Sequence, residues 1–89
     1  MQATVELPKA FSVSNDQEFF PMQHLMARMN PKLMVTQVAT GRHVRGGCTV
    51  FWGLVYADTQ TLTRSVVLKA LKDAGFDETS GVLQNLAAE

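Results

Sequence analysis

A single cysteine, Cys48, stands among the 89 residues, so no disulfide can form within the chain. A reducing compartment, and hence a cytoplasmic location, is the expectation. Long apolar runs are also missing. The longest, Val50 to Ala57, is far short of the roughly 20 residues that span a bilayer. The start, Met1-Gln2-Ala3-Thr4, lacks the basic opening and apolar run of a secretion signal. No membrane association is therefore expected.

Charge is scarce and balanced. Charged residues are 18% of the chain and the formal net charge is zero, which excludes a protein held on nucleic acid by bulk charge alone. Repeats, linkers and low-complexity tracts are likewise absent. Apolar residues, in contrast, make up 46% of the sequence, too many for a disordered chain. This is enough for one core, and the length leaves no room for a second. Residues 1–89 are read as a single domain.

What charge there is lies unevenly. Between Phe19 and Ala57 stand Arg28, Lys32, Arg42, Arg45 and both histidines, with no Asp or Glu. This pattern predicts a surface polarised toward one basic end.

Along the chain, Ala3 to Leu7 alternates like a short strand, and Phe11 and Val13 suggest another. Ser14-Asn15-Asp16-Gln17 has helix-start chemistry, but Pro21 would clash inside a helix begun there. A turn at 15–18 and a helix from Phe20 to Met29 follow, with Met22, Leu25, Met26 and Met29 as its buried stripe. Asn30-Pro31 ends it. Leu33–Ala39 and Thr49–Ala57 read as strands. In the second, Val50, Trp52, Leu54 and Tyr56 share one face, and Phe51, Gly53, Val55 and Ala57 the other. Both faces are apolar, so the strand should be central or should meet a partner. Three glycines between Thr40 and Gly47 make the pair a hairpin, 33–57, with a basic tip. Leu62, Val66, Val67, Ala70, Leu71 and Ala74 form the stripe of a second helix. Asp58, Thr59 and Thr61 offer caps before it, and Gly75 with Phe76 suits a Schellman ending. The segment after Gly81 is read as a short helix or a last edge strand, with helix preferred.

The order predicts an α+β fold: an antiparallel sheet of three to four strands packed on two helices, a two-layer sandwich covered on one face. Ferredoxin-like, dsRNA-binding and KH-like folds are versions of it.

Catalytic motifs do not assemble. Cys48 and His43 flank a Gly-Gly turn, but no nearby acid orients a base. Asp73, Asp77 and Glu78 gather at a helix end, where solvated acids are ordinary. His24, His43 and Cys48 sit on three elements, too few and too scattered for a metal. Gly41 and Gly46 have Walker A spacing, but Gly47-Cys48 replaces the Lys-Ser/Thr pair and a strand follows instead of a helix. The chain is expected to be non-enzymatic, without metal or cofactor.

His43-x-x-Gly46-Gly47-x-Thr49 followed by Gly53-Leu54-Val55-Tyr56 resembles the hairpin of the twenty-fourth small-subunit ribosomal protein of archaea and eukaryotes, which also follows a helix. The likeness covers about 20 residues and implies the hairpin topology and an RNA-facing tip. Cys48 stands where that family has a base, and no basic tail follows Gly81, so ribosomal function is not carried over.

Two functions remain. In the first, the chain is a small protein-binding module, such as an inhibitor, adaptor or accessory subunit. It binds through an aromatic sheet surface, Trp52 and Tyr56, rimmed by Arg42, His43, Arg45 and Lys32. A protein partner is expected, with a second copy of the chain as one candidate. In the second, loop 40–47 binds RNA or DNA, with Phe51, Trp52 and Tyr56 stacking on bases.

Overall fold

The computed structural model describes residues 7–83. Within them the order is β1 (Lys9–Val13), a 3₁₀ turn (Asp16–Glu18), α1 (Phe19–Met29), β2 (Leu33–Gly41), β3 (Val50–Ala57), α2 (Arg64–Asp73) and β4 (Val82–Leu83). The four strands form one sheet in the order β1-β3-β2-β4, and every pairing is antiparallel. The α+β class and the central hairpin are as the sequence predicts.

Two local expectations change. The strand read over Ala3–Leu7 lies, but for Leu7, outside the described residues, and the Phe11–Val13 stretch is a strand that extends back to Lys9. The start of the segment after Gly81 is a strand, because Val82 and Leu83 pair with Thr40 and Ala39; the rest of that segment, 84–89, lies outside the described residues. The cap of α2 is Thr63, whose hydroxyl accepts from the Val66 N–H, rather than Asp58, Thr59 or Thr61.

The helix starts and stops follow from their residues. Asn15 caps the 3₁₀ turn through its side chain, and Glu18 reaches back to the Asn15 N–H, a capping box. Pro21 then falls in the first turn of α1, where a missing N–H costs nothing. At the far end of α2, the Phe76 N–H donates to the Leu71 carbonyl at 2.9 Å and the Gly75 N–H to the Lys72 carbonyl at 3.1 Å. Gly75 has φ +99°. This is the Schellman ending, and it returns Phe76 to the core beside Leu71.

Strand order decides which face each helix covers. The connection through α1 leads from β1 past β3 to β2; the connection through α2 leads from β3 past β2 to β4. Both step the same way across the sheet, but β1 and β3 run in opposite directions. Right-handed crossovers then put the helices on opposite faces. The residues agree. Trp52 and Leu54 of β3 pack with Ala10, Val38, Ala39, Val67, Leu71 and Phe76 in the main core. Gly53, facing the other way, lies under Phe19 of α1 and Phe11 of β1. The sequence expectation placed both helices on one face, and a ferredoxin-like sheet would return its last strand to β1. Here β4 joins β2, and α1 moves to the reverse face.

The two faces are unequally covered. Val67 and Leu71 of α2 have no exposed surface. In α1 only Phe19 is buried, its ring tilted on Phe11 at 5.8 Å, with the Gln23 Nε2 donating to the Val35 carbonyl at 2.9 Å. Of the expected stripe, Met22 and Met26 are half-buried, but Leu25 and Met29 are exposed.

Candidate functional site

The hairpin tip begins where β2 ends at Gly41. Trp52 lies on the core face of β3, 1% exposed, and its indole N–H donates to the Gly41 carbonyl at 3.2 Å. Just beyond, His43 covers the indole, the two rings 4.7 Å apart. Its Nε2 is within hydrogen-bond distance, 3.3 Å, of the Ser12 hydroxyl on β1. His43 also bridges Phe76, the Val44 N–H donates to the Gly75 carbonyl and the Asp77 N–H to the Arg42 carbonyl, each at 2.8 Å. The Arg42 N–H donates to the Ser80 hydroxyl at 3.1 Å. The base of the loop is thus fastened to the chain leaving α2. In its outer part Gly46 and Gly47 have φ +89° and +110°, and a Cβ at either would point into open space.

The structure therefore brings together Arg42, His43 and Arg45 but separates the other predicted contacts. Trp52 is a core residue and presents no surface. Tyr56 is half-buried, packed against the main core. Lys32 belongs to the opposite end of the hairpin, where its carbonyl accepts from the Asp58 N–H. That end is about 26 Å from the tip, eight strand residues away.

The charge of the tip is also different from its sequence neighbourhood. A cleft of about 570 Å³ is lined by His43, Val44, Arg45, Gly46 and the end of α2, including Lys72 and Asp73. Lys72 Nζ sits 2.9 Å from Glu78 Oε2. Asp77 lies beside Arg42, and its carboxyl is held below the ordinary carboxylate range. The Thr79 hydroxyl and then the Thr79 N–H are the main causes; desolvation opposes them, and Arg42 and then Ser80 add smaller lowering effects. Both Thr79 groups bond Asp77 Oδ1, at 2.6 and 3.0 Å. Acids distant in sequence thus offset the basic tip in space.

Ser12 and His43 form the one arrangement with a catalytic look that the sequence did not suggest; they stand 31 residues apart and share no motif. No acid is bonded to the imidazole among the described residues. The pair's evident work is to tie β1 to the loop. No group of three or more His, Cys, Asp or Glu that could hold a metal exists among the described residues, and no helix among them is long and apolar enough to cross a membrane.

A second surface is larger in apolar content. The outer side of α1 carries a groove of about 380 Å³ lined by Phe20, Pro21, His24, Leu25 and Arg28. Phe20 is 67% exposed, Leu25 58% and Met29 75%. The Phe20 ring meets His24 edge-on at 4.9 Å. Sequence reasoning offered the methionines of this helix as core filler or as a pliable contact surface and preferred the core, assigning Leu25 and Met29 to the buried stripe. The available signal was Phe20: at 100° per residue it falls far from the Met22–Met26 side, so α1 is apolar around more of its circumference than one sheet contact can bury.

In comparison with known proteins, the chain matches no family model, no curated protein and no solved structure.

Proposed function

We propose that this chain is a small non-enzymatic protein-binding module, and that its contact surface is the outer face of α1. The observation that carries the reading is the groove on α1 whose largest apolar walls, Phe20 and Leu25, stand mostly in water. Single exposed apolar residues are ordinary, whereas a groove lined by several and rimmed by charge is typical of an interface. Met29 with half-buried Met22 and Met26 adds side chains that reshape cheaply around a partner. The anchors are thus Phe20 and Leu25, not the Trp52 and Tyr56 named by the sequence. Arg42, His43 and Arg45 form a separate polar surface at the hairpin tip.

A nucleic-acid role for loop 40–47 has weaker support, since Asp77 lies beside Arg42 and Asp73 lines the cleft with Arg45. The test is a photo-crosslinker placed at position 25 and, separately, at position 44 on the tip. In nuclease-treated native extract the first is expected to trap protein and the second not. Crosslinks from position 44 alone, or their loss on nuclease treatment, would defeat the reading.

A further inference from the structure

The rows along the outer side of α1 are Phe20-His24-Arg28 and Pro21-Leu25-Met29, each at four-residue spacing, with the groove between them. An i, i+4 row of one helix is the shape that fills such a groove on another. The question is which helix.

The charges beside the groove supply the answer. At its start stands Asp16, exposed in the 3₁₀ turn. Toward its end stand Arg28 and then Lys32, both exposed. The order along the chain is therefore acid, apolar groove, base. Two such helices laid parallel set like charges together. Laid antiparallel, and centred on His24 and Leu25, they bring Phe20 of each to the level of Arg28 and Met29 of the other, and turn the acidic entry of each α1 toward the basic exit of the other. The helix dipoles then also oppose, and an Arg over a Phe ring adds a cation–π contact.

We infer that two copies of this chain associate through α1, packed antiparallel about a two-fold axis near His24 and Leu25. The inference rests on the reading of α1 as the contact surface and names its partner. A two-fold contact must be self-complementary, and an acid-groove-base order meets that requirement within a single element. α1 has 11 residues and is about 16 Å long. Two outer faces of that length bury on the order of 1,000 Å², just under the range of standard specific interfaces. A contact of this size belongs with the weak, transient associations.

Sedimentation equilibrium from micromolar to millimolar concentration tests this. The expected result is a mass rising from 9.8 kDa toward twice that value. Leu25→Glu, an exposed position whose change leaves the core alone, should weaken association at least tenfold while the circular dichroism spectrum is kept. The antiparallel arrangement is tested by charge exchange. Arg28→Glu with Lys32→Glu makes one variant, and Asp16→Lys with Gln17→Lys the other. Each should be monomeric alone, and an equimolar mixture should dimerise. A constant monomer mass at millimolar concentration, indifference to Leu25→Glu, or a mixture that stays monomeric would each overturn the proposal. A monomer that still forms the position-25 crosslinks to a different protein overturns self-association and leaves the α1 surface standing.

Discussion

Gly53 is where one atom decides how a helix sits. A Cβ there would lie 2.4 Å from the Phe19 ring, 2.9 Å from Phe11 and 3.0 Å from the Thr36 carbonyl. The bare backbone is what lets Phe19 seat itself on the sheet and carry α1 with it. Gly53→Ala is expected to destabilise the fold by about 1–3 kcal/mol, the usual cost of overpacking. Urea unfolding measures it, and an unchanged midpoint would show that the rings yield freely. Asp77 gives a prediction in pH. Its carboxyl is held below the ordinary range in the folded chain, while the unfolded value is about 3.9. Its contribution is therefore complete above that value and lost as pH falls through the lowered folded one. As pH falls below about 4 the wild-type Tm should fall more steeply than that of Asp77→Asn. Parallel Tm curves would count against the role given to Thr79.

At the scale of elements the two helices differ in kind. Val67 and Leu71 anchor α2 from within the main core, while α1 rests on Phe19, the half-buried Met22 and Met26, and one side-chain bond from Gln23. Local opening follows buried contact. Backbone amides of α1 are expected to exchange with solvent well before those of α2, read residue by residue by NMR; equal protection would mean that α1 is held by more than these contacts. The same contrast explains what the sequence could disclose. The stripe of α2, its Gly75-Phe76 ending and the alternation of β3 are local patterns, each readable within a few residues. The fate of α1 is not local. Four apolar side chains at helical spacing show that a face exists, but how much of it finds cover depends on the width of the sheet behind it. Trp52 was misread for a related reason: a strand apolar on both sides does not say which side has a helix over it.

Over the whole molecule the informative quantity is where charge ends up. The stretch from Phe19 to Ala57 carries four cations and no acid, yet the turn after α2 brings Asp77 to Arg42, and the end of α2 puts Asp73 in the cleft with Arg45. Strand order was equally out of reach. Nothing in Val82-Leu83 says that it will pair with β2 instead of β1, and that choice divides the helices between faces. The tip likewise became clear only through contacts such as His43 with Ser12 and Arg42 with Ser80.

The carboxylates Asp73, Asp77 and Glu78 have a further consequence for contact with polyanions, which a charge-removal variant tests. With them in place, Arg42, Arg45 and Lys72 present a surface of mixed sign. Removing them by Asp73→Asn, Asp77→Asn and Glu78→Gln would leave those cations without a counterweight. The triple variant is expected to elute from immobilised heparin at distinctly higher salt than the wild type, and coincident elution would show that the acids lie too far away to matter. Far from being bystanders at a helix end, they would be guards against indiscriminate adhesion.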